Sequence, residues 1–570
     1  MPINIVNVEL FAELRQNYGY YVDKTEFLVQ FLQDPTNATR FRLPSSATLF
    51  TRPRRFGKTM FMSMLAEFFD VTKSSQQLFA GLKVAENEKL CREWMNQYPV
   101  IFLTLKEVEG LTFEDALDEI RTRMKNLYSD VEPMLDRKKL RTADRDVMDD
   151  ILSAHASIRA LRASLQTMSR ILYALYGKPV IILLDEYDVP VAKAAERGYY
   201  DEMILFMRIF LSNALKTNPY LKFGILTGAL RITKESIFTG LNNLDCFDIA
   251  NPKYADVFGF TQYEVDQLLS DAGLEEKRDA LREWYDGYHF GDRSDIYCPW
   301  SIMKYLADVQ SVPKEKPKAY WVGTSGNELT KAFLGRMPST VQDDIASLTE
   351  GKTIAVAIKE DLNYDQIYTK EDNFWTLLYL TGYLTPSSDS ANCVVSPGPG
   401  RTILAIPNRE VKDVFKSEIN SWFSQMLPKD KQEDFFKLFW KGDAQNLEKS
   451  LGTMLLTSSS VQDYKYREHF YHSFLLGIFM LLYPVTSNRE AGEGFFDLIV
   501  QDEREKRAAV IEVKRADSKK ELETEVEKAL LQIEERQYDV ELKARGYTQI
   551  IHWGMAFFKK SCKMGVRCSS

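Results

Sequence analysis

The chain has few of the features that mark zinc-binding, disulfide-rich or membrane-spanning proteins. Its six cysteines are scattered, without a Cys-x-x-Cys pair or a Cys/His ligand spacing, which argues against a zinc site and favours a reducing compartment. No segment approaches the ~18 uninterrupted apolar residues of a membrane helix, and residues 1–5 lack the basic and apolar parts of a signal peptide. We therefore expect an intracellular, cytoplasmic protein without a membrane partner, although signal-independent secretion as an effector would leave no mark in the sequence.

A positive net charge is also absent. The 73 lysines and arginines are outnumbered by 81 acidic residues, which gives a formal net charge of −8. Such a chain does not coat nucleic acid or membrane by bulk charge, so any nucleic-acid site has to be a local basic groove. The sequence contains no internal repeat and no low-complexity tract, and its length predicts about three or four packed domains.

A phosphate-binding pattern begins at residues 48–51, where an apolar segment runs through basic residues into Gly57, Lys58 and Thr59 and then into a helical pattern. A strand, a tight loop and a helix N-terminus direct backbone N–H groups and a helix dipole at one point, which suits a polyphosphate. We expect Lys58 to reach the β- and γ-phosphates and the Thr59 hydroxyl to hold Mg²⁺. Arg52 occupies the first glycine position of the common G-x-x-x-x-G-K-[ST] pattern, so a basic, solvated turn before a core helix is the alternative.

A second apolar run, at residues 180–184, ends in Asp185 and Glu186, as is typical of a central parallel strand buried on both faces. Open α/β sheets bind ligands at the carboxyl ends of their strands. We therefore predict that Asp185 holds Mg²⁺ through water and that Glu186 positions the hydrolytic water as general base. A third apolar run follows at 223–228, and its Thr227, or Arg231 beyond it, would sense the γ-phosphate. Taken alone, two acidic residues after a strand often mark only the point where the chain leaves the buried core and reaches solvent.

Alternating strand and helix patterns extend to about residue 251 and predict a doubly wound parallel sheet. The predicted strands are 48–51, 99–105, 180–184 and 223–226. After residue 261 the strand pattern ceases, and short helices indicate a lid or winged-helix region. The aromatic stretch 284–291 is turn-rich, and we favour core and turn packing over a base-stacking platform.

A second group of chemically competent residues lies near the C-terminus. Residues 494–500 are predicted to form a strand, and 508–514 its hairpin partner. Side chains alternate along a strand, so Glu512 and Lys514 face the same side, and Asp497 would join them if it lies opposite. Asp497, Glu512 and the Val513 carbonyl would then bind Mg²⁺, while Lys514 orients or helps to deprotonate a water that attacks a phosphodiester. A charged edge hairpin is the alternative.

With these motifs in place, the chain resembles AAA-ATPase-like proteins fused to a C-terminal PD-(D/E)XK nuclease domain. The resemblance extends over nearly the whole chain. The segments that carry it, in order, are 20–25, 51–59, 184–188, 226–228, 236–244, 284–288, 381–384, 406–411 and 471–477.

The resemblance implies an α/β protein with an N-terminal P-loop sheet, a helical lid or winged-helix-like connector and a C-terminal restriction-endonuclease-like α/β domain. The expected segments are a P-loop domain at 1–255, the lid or winged-helix-like region at 256–345, a connector at 346–440 and the nuclease domain at 441–570. The resemblance further implies that the family's phosphate loop consists of Arg52, Arg54, Arg55, Phe56, Gly57, Lys58 and Thr59.

In the nuclease superfamily, an acid on one strand and Glu-x-Lys on the next form the metal site. Asp497, Glu512 and Lys514 match these positions. The resemblance implies two further contributions, from Glu468 on a helix before the hairpin and from Gln532 on the helix after it.

The resulting hypothesis is a nucleotide-regulated, Mg²⁺-dependent nuclease that acts on DNA or RNA and has a module that binds and hydrolyses ATP or another NTP. A nucleotide-dependent switch or scaffold that binds nucleic acid or protein without cutting is the main alternative. A nuclease with a purely structural ATPase-like half is a third, and the sequence is compatible with an oligomer. The residues that would give the nuclease hairpin a basic surface are Arg504, Lys506, Arg507, Lys514, Arg515, Lys519 and Lys520.

Overall fold

The computed structural model describes residues 8–17, 19–34, 37–41, 44–153, 155–216, 218–230, 237–238, 243–321, 339–359, 362, 370–394, 398–416, 429–457, 468–479, 482–487, 490–491, 494–495, 497–535 and 539–568. The chain divides into two compact units. The first comprises Met1–Trp321, Ala355–Ser388 and Pro397–Val411, and the second comprises Val322–Ile354, Asp389–Ser396 and Lys412–Ser570.

The first unit is built on a sheet of five parallel strands. In chain order they are β1 (Ala47–Thr51), β2 (Val100–Thr104), β3 (Val180–Asp185), β4 (Leu221–Gly228) and β5 (Leu244–Phe247). Their order across the sheet is β2-β3-β4-β1-β5, and every neighbouring pair is parallel. All residues of β1 and β3 are buried, which explains their continuous apolar sequences.

Two strand predictions need correction in this unit. The fifth strand, β5, has the sequence Leu-Asp-Cys-Phe, which is too short and too polar to show as an apolar run. Strands also continue after residue 261, because Phe260–Thr261 (β6), Tyr288–Phe290 (β7) and Arg293–Tyr297 (β8) form an antiparallel sheet in the order β6-β8-β7. The aromatic stretch supplies β7, and its rings at Tyr285, Tyr288 and Phe290 are buried, as core packing requires.

The helices of the first unit follow from local sequence signals. Phe113–Val131, for example, begins with a capping box between Thr112 and Asp115, and Ile158–Tyr176 begins at the Ser157 cap and ends at Gly177. The other α-helices are Phe11–Gln16, Glu26–Leu32, Lys58–Phe69, Gln76–Phe79, Glu88–Trp94, Thr142–Leu152, Val189–Arg197, Tyr200–Leu215, Gln262–Ala272, Arg278–Tyr285, Pro299–Ser311 and Glu371–Leu380. The 3₁₀ helices are Lys83–Glu86, Glu132–Met134, Arg137–Lys139 and Glu275–Lys277, and the short strands are Gln33–Asp34, Asn37–Phe41, Thr385–Pro386 and Thr402–Ala405. A further short strand, Ile354–Val356, lies at the boundary between the two units.

The second unit has its own five-stranded sheet. Its strands are β9 (Val485–Ser487), β10 (Leu498–Asp502), β11 (Arg507–Arg515), β12 (Gln549–Phe558) and β13 (Ser561–Cys568), in that spatial order. Only the β11–β12 pair is parallel among these described strands. The helices are Ser339–Thr349, Lys429–Lys441, Ala444–Thr457, Glu468–Phe479, Leu522–Glu535 and Asp539–Ala544.

The strand predicted at residues 494–500 is interrupted. Gly494–Phe495 pairs with Glu490–Ala491 in a separate ribbon, and β10 begins only at Leu498. Asp497 therefore lies just before β10 and outside its ladder with β11.

None of the helices in the described part of the chain has both the length and the apolar character that a membrane-spanning helix requires.

Candidate nucleotide and nuclease sites

The phosphate loop joins the end of β1 to the helix Lys58–Phe69. Gly57 precedes this helix with φ of 82°, and Arg55 also has a left-handed φ of 70°. Glycine adopts such a φ without strain, whereas an arginine held there must be fixed by its surroundings. A Cβ added to Gly57 would meet no atom within 4 Å, so the loop is open at this point. An open, glycine-containing turn at a helix N-terminus fits a phosphate group.

Lys58 is held inside the loop. Its Nζ donates hydrogen bonds of 3.1 Å to the Arg52 carbonyl and 2.9 Å to the Pro53 carbonyl. Burial lowers the pKa of the Lys58 ammonium, against the attraction of Glu186 and its neighbouring acids. The loop thus presents a cation, directed by its own carbonyls, toward the acidic end of β3.

Asp185 is fixed through both carboxylate oxygens. Thr59 Oγ1 donates a hydrogen bond of 2.8 Å to Oδ2, and Thr227 Oγ1 donates one of 2.5 Å to Oδ1. The pairing of Thr59 with Asp185 brings together the two residues expected to hold Mg²⁺. Thr227 is fully buried and its hydroxyl donates to Asp185, while its expected role in sensing the γ-phosphate stays a prediction. Arg231 lies outside the described residues.

Glu186 follows Asp185 with a left-handed φ of 53°. Burial raises the pKa of the Glu186 carboxyl, and the nearby acids add to this effect, while Lys58 and Arg54 oppose it. A carboxylate with a raised pKa is a better proton acceptor, as a general base requires. Sequence reasoning left out Asp188, whose Oδ2 accepts hydrogen bonds of 2.9 Å from the Ala229 and Leu230 amides and so ties β3 to the segment after β4.

The side chain of Arg52 contacts protein groups. Its guanidinium donates to the carbonyls of Thr51 and Phe247 at 2.8 Å and of Tyr254 at 3.0 Å. Burial lowers the pKa of Arg52 to about 10. The side chain of Phe56 is likewise buried and packs against the rings of Tyr288 and Phe290 in β7. Both residues therefore offer only backbone groups to a nucleotide.

The two remaining loop arginines behave differently. Arg54 makes no hydrogen bond to any described residue, but its charge acts on both Lys58 and Glu186. Arg55 donates a hydrogen bond to the Tyr320 carbonyl, and its guanidinium lies 4.7 Å from the centre of the Trp300 ring. Arg54 is thus the loop arginine best able to meet an anion, and Arg55 links the loop to Tyr320.

In the second unit, Asp497 is hydrogen-bonded to the strand that carries Glu512. Asp497 Oδ2 accepts a hydrogen bond of 2.7 Å from the backbone N–H of Val513, the residue after Glu512. Glu512 is 2% exposed, and its Oε1 accepts a 3.0 Å hydrogen bond from Lys514 Nζ and a further one from Gln532 Nε2. The residue before β10, the strand β11 and the helix Leu522–Glu535 thus supply five of the six residues expected at the nuclease site, namely Asp497, Glu512, Val513, Lys514 and Gln532. The sixth, Glu468, begins the helix Glu468–Phe479, and its side chain lies outside the described part of the structure.

Two parts of the chain match models of known protein families. Residues 5–238 match a family described as predicted AAA-ATPase, and residues 466–566 match the PD-(D/E)XK nuclease superfamily. The chain therefore combines an AAA-ATPase-like domain with a PD-(D/E)XK nuclease domain. An uncharacterized protein in the vnfD 5' region of Azotobacter chroococcum mcd 1 is 26% identical over 413 residues, which cover 71% of this chain and 68% of that protein. The two domains suggest ATPase and nuclease activity, and the nuclease domain implies a nucleic-acid substrate.

The nuclease residues fit a divalent cation by their donor chemistry. Backbone N–H and C=O groups of one strand residue point to the same side. Because the Val513 N–H meets Asp497, the Val513 carbonyl faces that side as well. Two carboxylates and a carbonyl are the hard oxygen donors that Mg²⁺ prefers, with water completing its shell. Among the described residues, no group of three or more His, Cys, Asp or Glu side chains could hold a metal ion, so a cation here would depend on the carbonyl and water.

The expected basic surface of the nuclease domain is partly neutralised. Arg507 pairs with Asp502 at 2.9 Å and covers the Trp440 ring, and Arg515 lies 3.3 Å from Asp517. Lys514 is paired with Glu512. The expected basic residues that are exposed and have no ion pair to a described residue are Arg504, Lys506, Lys519 and Lys520.

Proposed function

We propose that this protein is a nucleotide-regulated, Mg²⁺-dependent nuclease that cleaves DNA or RNA and that binds and hydrolyses ATP or another NTP in its AAA-ATPase-like domain. The convergence of Asp497, Glu512, Lys514 and Gln532 at one end of β11 carries the proposal. This arrangement fits a hydrolytic site better than it fits a charged edge hairpin, because the Glu512 carboxylate is buried and accepts hydrogen bonds from two elements.

Each nuclease residue has a distinct task. Asp497, Glu512 and the Val513 carbonyl would hold Mg²⁺, which when bound supplies a Lewis acid that polarises the scissile phosphate. Gln532 orients the Glu512 carboxylate by donating to it. Lys514 lies on the same face of the strand as Glu512, and its ammonium can orient a water by donating a hydrogen bond to it. Its side chain is 22% exposed, so water and substrate reach it.

The residues of the proposed nucleotide site also have separate roles. Lys58 and Arg54 would neutralise the phosphates, and the backbone N–H groups at Gly57 and the helix start would bind their oxygens. Thr59 and Asp185 would hold Mg²⁺. Glu186 is the proposed base that takes a proton from the attacking water.

A series of hydrogen bonds next to the phosphate loop supports regulation of nuclease activity by nucleotide binding. Arg55 of the phosphate loop donates to the Tyr320 carbonyl, and Glu410 accepts from the Tyr320 and Trp321 amides at 2.7 and 2.9 Å. The chain passes from the first unit to the second after Trp321, after Ser388 and after Val411. A change in the loop on nucleotide binding would therefore act on residues next to the first and the last of these three crossings.

The segments 1–255, 256–345, 346–440 and 441–570 are retained in this proposal as P-loop domain, lid or winged-helix-like region, connector and nuclease. A protein that binds nucleic acid or another protein without cutting is the competing function. Intact Asp497, Glu512 and Lys514 favour cleavage over that alternative.

The proposal can be tested with purified full-length protein and single- and double-stranded DNA and RNA, with Mg²⁺ or EDTA and with or without ATP. We expect cleavage by the wild type in Mg²⁺, and a rate lower by ~10²-fold or more for Asp497→Asn, because a cation ligand is weakened. Asp502→Asn is the matched control at the other end of β10, where the acid pairs with Arg507, and should cut like the wild type. Absence of cutting in Mg²⁺ or Mn²⁺ under every nucleotide condition would favour the switch or scaffold.

A further inference from the structure

His472 connects the proposed cation ligand Asp497 to Glu350, a residue of the second unit that is distant in sequence. It lies in the helix Glu468–Phe479 and is 4% exposed. Its Nε2 is 2.9 Å from the backbone carbonyl oxygen of Asp497, and its Nδ1 is 3.3 Å from Glu350 Oε1. A carbonyl only accepts hydrogen bonds, so Nε2 must carry a proton in this arrangement.

Glu350 follows the helix Ser339–Thr349, which packs against the helix Glu468–Phe479. Its carboxylate also lies 3.2 Å from Lys352 Nζ. An ionised carboxylate is an acceptor, so a proton on Nδ1 of His472 is favoured as well. His472 thus lies between two acceptors: its Nε2 donates to the Asp497 carbonyl, and its Nδ1 lies within ion-pair distance of the Glu350 carboxylate.

These contacts matter because the strand ladder does not hold Asp497. The β10–β11 ladder begins with the pair Leu498 and Ile511. Asp497 is instead held at two atoms: its carbonyl oxygen by His472, and its Oδ2 by the Val513 N–H at 2.7 Å. Holding both the main chain and the side chain limits rotation about the bonds between them, and so sets the direction of the carboxylate.

We propose that His472 and Glu350 are positioning residues of the nuclease domain, which aim the Asp497 carboxylate for a divalent cation. The inference rests on the proposed function. It also extends the working nuclease beyond the matched residues 466–566, because Glu350 comes from an earlier segment of the second unit. Ligand-orienting residues of this kind typically change metal affinity or activity by about 10–100-fold when they are removed.

The experiment uses the full-length protein and two readouts, Mn²⁺ binding by titration calorimetry and the Mg²⁺ concentration that gives half-maximal cleavage. We expect His472→Leu to weaken Mn²⁺ binding and raise the half-maximal Mg²⁺ concentration by about tenfold or more. His472→Gln should recover part of the loss, because its amide N–H can donate to the Asp497 carbonyl. Glu350→Gln should give a smaller loss, because His472 keeps its bond to Asp497.

Tyr471→Phe is the matched control on the same helix. Tyr471 is buried, and its hydroxyl donates a hydrogen bond of 2.8 Å to the Lys559 carbonyl. Its removal should lower the melting temperature slightly and leave the metal requirement unchanged. A purely structural role for His472 would make His472→Leu behave in the same way.

The possible failures are distinct. Wild-type cleavage together with unchanged Mn²⁺ affinity in the His472 and Glu350 variants would overturn this inference and leave the proposed function standing. If His472→Leu does not fold, unchanged affinity in both His472→Gln and Glu350→Gln would have the same meaning. A wild type that neither binds Mn²⁺ nor cuts would overturn the proposed function and this inference with it.

Discussion

Thr59 donates a hydrogen bond of 2.8 Å to Asp185, although the two residues are 126 positions apart in the sequence. Thr59 lies in the first turn of the helix after the phosphate loop, and Asp185 ends β3, which is separated from β1 by β4 in the sheet. Parallel strands deliver their carboxyl ends to one edge, so a loop on one strand meets an acid on another. The predictions for the nucleotide site follow from this contact between the phosphate-loop helix and the end of β3.

Lys58→Ala should abolish or strongly weaken nucleotide binding, because the loop loses a cation that its carbonyls direct toward the acidic end of β3. Isothermal titration with ATP and Mg²⁺ measures the effect. Lys83→Ala is the control, since Lys83 is exposed and pairs with Glu26. Equal ATP affinity in Lys58→Ala and wild type would refute the phosphate-loop assignment.

Glu186→Gln should bind ATP normally but hydrolyse it ~10²-fold or more slowly, because a general base is lost. The pKa of Glu186 is raised by burial above its ordinary value of 4.5, and the base must be deprotonated to act. Wild-type hydrolysis should therefore increase with pH through a value above 4.5, and the residual rate of the variant should lack this step. Exposed Glu202→Gln serves as control, and normal hydrolysis by Glu186→Gln would place the base elsewhere.

Lys514→Ala should separate metal binding from chemistry in the nuclease domain. Lys514 contacts Glu512 but offers no oxygen donor, so Mn²⁺ binding should persist while cleavage slows by ~10²-fold or more. Single-turnover cleavage and calorimetry on the same protein measure the two effects. Lys519→Ala, an exposed lysine on the segment after β11, is the comparison; equal rates for both variants and wild type would remove Lys514 from the reaction.

Arg55→Ala should reduce the effect of ATP on nuclease activity, because the bond from the phosphate loop to the Tyr320 carbonyl is lost. The measured quantity is the ratio of cleavage rates with and without ATP. Arg401→Ala removes a comparable bond, of 2.8 Å to the Ala355 carbonyl, elsewhere in the first unit. A ratio that is unchanged by Arg55→Ala, or changed equally by both variants, would contradict coupling through Arg55.

Glu410→Gln should alter the pH dependence of stability. Burial raises the pKa of Glu410 above its ordinary value of 4.5, so the folded protein binds this proton more tightly than the unfolded chain does. Stability should fall as pH rises from 4.5 through the raised pKa, and this contribution should be absent from the variant. Thermal unfolding between those pH values measures it, with exposed Glu119→Gln as control; parallel curves for wild type and Glu410→Gln would contradict the prediction.

The local patterns of the sequence were sufficient for much of the fold. Apolar runs predicted four of the five strands in the first sheet, because buried parallel strands have continuous apolar sequences. The alternation of side chains predicted that Glu512 and Lys514 share a face, and their 3.0 Å contact agrees. The strand β5 was missed because its four residues carry no such pattern.

The sequence by itself thus determined four of the five strands of the first sheet and the residue types that follow them, because those properties depend on neighbours in the chain. Tertiary structure alone decided that Thr227 orients Asp185, that Arg52 binds protein carbonyls and that His472 lies between Glu350 and Asp497. Each of these contacts joins segments far apart in sequence. Their geometry depends on sheet order, strand register and helix packing, which local periodicity does not encode.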